Sequence, residues 1–227
     1  MTLAAADIIA VIVFVSAWVV YNFFVERHAR GGTGLSGAMN LQRAAWMRTM
    51  LSRDFRMIDT AILAGLQQGT AFFASGCIFA IGGCFALLGA AERISAIAAD
   101  LPLSGGLDKP LVELKLLGLV VIFSYAFFKF GWAYRLFNYC SIVIGAVPMP
   151  KEAAKDPAGA EQAIERAIGL NQIAGHHFNA GLRAVFFSLA YLGWLLGPLV
   201  LIASTALVVA ILLNRQFRSP AQQIVSN

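Results

Sequence analysis

"AILAGLQQGTAFFASGCIFAIGGCFALL", residues 61–88, carries no charged side chain. A crossing of the bilayer takes about 20 mostly apolar residues, so this run reads as a membrane-spanning helix. It is too long for a barrel strand and shows no alternation with polar positions. In lipid every backbone N–H and C=O must be satisfied within the segment, which a helix does. Three more stretches meet the same test, at about 4–24, 111–131 and 184–213. The composition agrees. Of 227 residues, 59% are hydrophobic and 13% charged, whereas a soluble domain carries roughly 25% charged residues. The expectation is an all-α membrane protein, with four transmembrane helices and cytoplasmic helical extensions in one integral domain over 1–227.

The opening "MTLAAAD" has no basic residue ahead of the first span. That is the wrong order for a secretory signal, so the first span reads as a retained anchor. Basic residues then set the orientation, since Arg and Lys collect in cytoplasmic connections. Segments 25–60 and 134–183 are the longer and more basic ones. They are assigned to the cytoplasm, which puts both termini outside, in the periplasm of a bacterial inner membrane. The net charge of +5 then belongs to a membrane surface. A basic loop there attracts anionic lipid by about 1 kcal/mol per residue. No basic stripe with interleaved aromatics points to nucleic acid.

Within 61–88, Gly65, Gly69, Gly76 and Gly83 fall in one narrow arc at helical spacing. Such a face lets another helix approach closely, which is how helices associate in lipid. Gln67 and Gln68 sit early in the same span, placed to bond to neighbouring helices or to take part in transport. Cys77, Cys84 and Cys140 match no metal spacing and read as small buried residues.

Gly32, Gly34 and Gly37 match G-x-G-x-x-G. The pattern means dinucleotide binding only after a strand, and here it follows a membrane helix. It reads as a flexible linker. Beyond it, Ala44, Met47, Leu51, Phe55 and Ile58 recur on one side of a helix. That helix is expected on the cytoplasmic membrane surface, with Trp46 at the headgroups. The alternative is one long rod running into the second span. In the third span, Lys129 either snorkels to the inner interface or lies deeper as a functional group. Trp132, Tyr134 and Arg135 beyond it favour snorkelling.

A polar linker around Pro148, Pro150 and Pro157 precedes a helix starting near Ala158. On that helix Gln172, His176, Asn179 and Arg183 continue a stripe begun by Glu161 and Glu165. His177 points about 100° away, so the two adjacent histidines face no common target. A bis-histidine haem would have to pair one of them with His28. Gly193, Gly197 and Pro198 predict a kink in the fourth span.

Two blocks, "NLQRAAWMRTML" (40–51) and "GHHFNAGLRAVFFSLAYLGWLLGPL" (175–199), resemble the DUF599 family of small multi-pass membrane proteins. The resemblance runs from about Val13 to Leu212. It is carried by Arg43 and Trp46, then Asn179, Gly181, Leu182, Arg183 and Trp194. It implies no particular activity. It implies that the cytoplasmic blocks are where members look alike.

Catalytic, metal and cofactor motifs are not evident. The reading is a non-enzymatic scaffold or accessory subunit that self-associates or joins other membrane subunits. The alternatives are a small-solute or ion transporter, using Lys129, Gln67, Gln68 and the His176 stripe, and a haem- or metal-binding redox protein.

Overall fold

Prolines, glycines and one buried aspartate set the breaks between helices. The computed structural model describes residues 4–93 and 109–226. Part of the expected outer connection, 90–110, lies outside the described residues. Among them every regular element is helical: α1 (Ala5–Arg30), α2 (Gly34–Leu51), α3 (Met57–Gly89), α4 (Lys109–Gly145), the short α5 (Pro150–Ala153), α6 (Pro157–Leu192), a 3-10 turn (Gly193–Leu195), α7 (Pro198–Phe217) and α8 (Pro220–Ser226). Pro157 and Pro198 occupy first-turn positions, where the missing N–H costs nothing. The Asp156 side chain accepts from the Gly159 N–H and caps α6. Four helical stretches, beginning at Ala5, Met57, Lys109 and Pro198, are long and apolar enough to cross a membrane. The fold is all-α and of membrane type.

Successive long helices run in opposite directions, and α1 and α7 lie side by side in the same direction. α3 runs along α4, with Gln67 meeting Asn138 and Phe73 stacked on Phe130. α4 runs along α6, from Cys140 beside Ala167 to Lys115 beside Trp194. α1 and α7 close the other side of α6 through Phe14, Trp18, Phe187, Tyr191 and Leu201. α4 has 37 residues, roughly 55 Å at about 1.5 Å each. The hydrocarbon layer is about 30 Å. The surplus projects at one end, around a second core of Met47, Met50, Phe137, Cys140, Ile144 and Ile164. All three cysteines are buried and free, as their apolar neighbours implied.

The stretch 184–213 is not one span. α6 ends at Leu192, and α7 returns beside it. Ser204 Oγ donates to the Ala190 carbonyl at 2.7 Å, and the Arg215 guanidinium lies over the Phe186 ring at 4.9 Å. Gly197, at φ 141°, takes a backbone conformation that side chains disfavour, so the expected kink is a full reversal. Trp194 therefore sits at the start of α1, donating to Asp7 at 2.7 Å. Phe217 packs at the other end of α1, on Phe24 and His28. The expectation of both termini on one side rested on a single continuous fourth span. With the reversal, the start of α1 and the end of α7 stand at opposite ends of the bundle.

Three local expectations are also corrected. Gly32 and Gly34, at φ 73° and 70°, make a tight turn between α1 and α2 rather than a flexible linker. α2 is a separate helix, but it lies along the lower half of α6 rather than flat on a membrane. Arg48 pairs there with Glu161 and Glu165, and Gln172 bonds to the Asn40 carbonyl. Its apolar stripe stops at Leu51, leaving Phe55 and Ile58 exposed. The chain turns there about Asp59, which is fully buried and accepts from Trp46 Nε1 at 2.7 Å and from Arg53. Trp46 is thus held by a buried carboxylate instead of a headgroup. Arg56 donates to the carbonyls of Ile144, Val147 and Pro148. It satisfies the free end of α4.

Candidate functional site

The polar stripe of α6 runs along its contacts with α1 and α2, with Arg183 buried, Gln172 and Asn179 half-buried and His176 exposed. Arg183 is 5% exposed. It donates through Nε to Asn22 Oδ1 and through NH2 to Glu26 Oε1 at 3.2 Å. His176 Nε2 lies 3.6 Å from the same Glu26 oxygen. Gln172 Nε2 donates to the Asn40 carbonyl at 3.0 Å. Asn179 lines a cavity of about 300 Å³ between α1, α2, α6 and α7. Arg43, Arg183 and Arg215 also line it, with Ser36 and Gln216. Arg43 reaches it by passing Gly175, where a Cβ would stand 2.6 Å from the guanidinium carbon. Its side chain donates to Asn40 Oδ1 at 3.2 Å.

The three histidines face three surroundings. His176 turns to Glu26 on α1. His177 turns to α4, with its ring edge-on to Trp132 at 6.5 Å. His28 packs on Phe24 and on Phe217 of α7, and its Nδ1 lies 2.8 Å from the Phe24 carbonyl. They do not converge on one centre. Lys129 is half-buried, 5.3 Å from the Tyr125 ring, and its charge acts on both adjacent imidazoles. Burial first, then Lys129 and His176, pushes His177 down to about 4. His176 is also held below the ordinary range, because burial outweighs the pull of Glu26. His177 is therefore neutral at pH 7. Among the described residues no three His, Cys, Asp or Glu side chains are grouped to hold a metal ion.

The second span divides its residues cleanly. Gln67 Nε2 donates to Asn138 Oδ1 at 2.8 Å and to Ser141 Oγ at 2.9 Å on α4. Gln68 is exposed. Gly65, Gly69, Gly76 and Gly83 lie on a different side of α3 from the buried Leu63, Thr70, Cys77 and Cys84, about 100° round the helix where the two sets are consecutive in the chain. Nothing in the chain comes within 4 Å of a Cβ built at any of these four glycines. The small-residue face is therefore bare, and α3 packs on α4 through a different side.

A second polar centre, at the opposite end of the bundle, was missed in the sequence. Lys115 is 2% exposed and Asp7 6%. Lys115 Nζ donates to the Trp194 carbonyl at 2.7 Å and stands 4.0 Å from Asp7 Oδ1. Trp194 Nε1 donates to the same Asp7 oxygen. This cluster pins the α6–α7 reversal to the starts of α1 and α4. The signal was an acid and a base each near the outer edge of an apolar run, but their pairing is long-range.

The family model described as "Protein of unknown function, DUF599" matches residues 9–221. The chain belongs to the DUF599 family. No curated protein and no solved structure matches it. The residues that carry the DUF599 resemblance are mostly joints between helices. Arg43 crosses Gly175, Gly181 seats Phe130, Arg183 holds Asn22 and Glu26, and Trp194 holds Asp7. Asn179 and Leu182 line the arginine cavity.

Proposed function

We propose that this DUF599 protein is a non-enzymatic integral protein of a bacterial inner membrane whose copies associate through α3. The observation that carries the reading is the bare glycine face. In lipid there is no hydrophobic drive between helices, so close backbone approach over small residues supplies the packing. Gly65 and Gly69 have the G-x-x-x-G spacing, Gly76 and Gly83 continue the line, and the exposed Phe72 and Phe79 project beside them. Only 11% of the most apolar stretch of α3 is buried within the chain, against 33% for α4. Native mass spectrometry of protein extracted gently from its membrane tests this. The expected mass is a whole multiple of the chain, falling to one chain in Gly69→Leu/Gly76→Leu. A multiple unchanged by those substitutions overturns the reading, and extra mass from another protein makes this an accessory subunit.

The orientation proposed has the start of α1 in the periplasm and the end of α7 in the cytoplasm. α6 crosses between about residues 179 and 194, shielded by α1, α4 and α7. The reversal supports this, because it moves Arg215 and Arg218 to the end that already holds Arg27, Arg30, Arg43, Arg48, Arg53 and Arg56. Among the described residues Arg93, Lys109 and Lys115 remain at the other end. The asymmetry fits the preference of basic residues for the cytoplasmic side.

A further inference from the structure

The cavity between α1, α2, α6 and α7 gathers three guanidinium groups from three helices, Arg43, Arg183 and Arg215. No carboxylate lines it. Glu26 engages Arg183. Arg43 is bonded to neutral Asn40, and Arg215 rests on the Phe186 ring. Two full positive charges thus stand beside a small space without an anion. Gln216, 8% exposed, accepts from Ser36 through Oε1 at 3.1 Å, while its buried Nε2 has no partner. A buried amide donor left unmade costs free energy. Like charges drawn together cost more unless a counter-charge joins them. Guanidinium forks match phosphate oxygens with paired hydrogen bonds. The cavity reaches Tyr21 and Val25 near the basic end of α1, at headgroup level in the proposed orientation.

We propose that this cavity is a binding site for a phosphate-bearing anion. Arg43 and Arg215 supply the charge, and the Asn179 amide supplies a neutral donor. A phospholipid headgroup and a free phosphate share that chemistry. The site does not depend on association through α3.

The test uses the full chain, stripped of lipid in neutral detergent. The probes are dioleoylphosphatidylglycerol, glycerol 3-phosphate and inorganic phosphate, with chloride as control. Native mass spectrometry reads retained ligand, and thermal unfolding reads stabilisation. The expected result is retention of at least one of the three phosphate probes, with its affinity lowered at least tenfold in Arg43→Gln/Arg215→Gln. Arg166→Gln, which removes an exposed charge away from the cavity, leaves it unchanged. Binding of phosphatidylglycerol alone assigns a lipid headgroup. Binding of the soluble phosphates assigns a free phosphate compound. Should the double variant fail to give a single folded species, Asn179→Leu blocks the cavity without removing a charge, and the same loss is expected. No retention of any phosphate probe overturns the proposal. So does equal loss in Arg166→Gln, or retention undiminished in whichever cavity variant folds.

Discussion

Two sets of glycines in this chain look alike in sequence and do opposite things. On α4 and α6, Gly118, Gly175 and Gly181 are where neighbours press in. A Cβ at Gly181 would stand 2.7 Å from the Phe130 ring, and one at Gly118 would overlap the Tyr191 hydroxyl. On α3, Gly65, Gly69, Gly76 and Gly83 meet nothing. The first set builds the bundle, with α6 packed against α1, α4 and α7 and its Gln172 and Arg183 paired to α2 and α1. The second set leaves a line of open backbone, flanked by the exposed Phe72 and Phe79, facing away from the chain. Small residues mark close approach within the molecule at Gly118, Gly175 and Gly181, whereas those on α3 meet no part of the same chain.

The largest effect is expected on the packed side. Lys115→Met strands the Asp7 carboxylate in a buried site, and breaking a buried pair costs about 3–5 kcal/mol. Unfolding in mixed micelles reads the loss, and Asp7→Asn added to Lys115→Met restores part of it. Equal stability of Lys115→Met and the wild type would remove the pin from the account. Next comes the direct contrast between the glycine sets. Gly181→Leu overpacks against Phe130 and costs on the order of 1–3 kcal/mol. Gly76→Leu leaves the single chain as stable as before, when measured under conditions that keep it monomeric. Comparable losses at both positions would erase the distinction.

The reversal at Gly197 is read by labelling. Cysteine introduced as Ser219→Cys, with the native cysteines replaced by serine, is expected to react with an impermeant maleimide only after the inner membrane is opened. Labelling in intact spheroplasts would place the end of α7 outside. The smallest effect concerns pH. His177 takes its proton near pH 4 in the folded chain, whereas a free imidazole does so near 6.5, as model peptides show at about that value. Above both values neither state is protonated and there is no difference. Between them the unfolded chain binds the proton and the folded chain does not, so stability falls as pH drops from about 6.5 toward 4. His177→Phe should flatten that part of the profile. An unchanged slope would show that other groups set it.

Much of this was legible because lipid imposes a severe rule on sequence. The uncharged run at 61–88 could be little else than a helix, and the α6 stripe from Gln172 to Arg183 is a periodicity that survives into contacts. What could not be read is who faces whom. The stretch 184–213 is apolar throughout apart from its edges, so a Gly-Pro pair inside it reads equally as a bend or a reversal. The part of α6 before Ala184 carries Gln172, His176, Asn179 and Arg183, so it does not register as apolar, and its partners on α1 and α2 are set by tertiary packing. Asp7 and Lys115 are separated by two helices in the chain, and each alone looks like an ordinary residue at a membrane edge. The arc of Gly65, Gly69, Gly76 and Gly83 was visible, but so was the seam of Leu63, Thr70, Cys77 and Cys84 on a different side. Periodicity counts residues on a face and says nothing about which face meets α4.

The most direct test of the central claim is disulfide trapping at the bare face. Gly76→Cys, in a chain with Cys77, Cys84 and Cys140 changed to serine, is oxidised mildly in native membranes. The account predicts a covalent dimer of this chain from Gly76→Cys and none from a cysteine at Thr70, which lies against α4. No dimer at position 76, or equal dimer at both positions, would contradict association through α3.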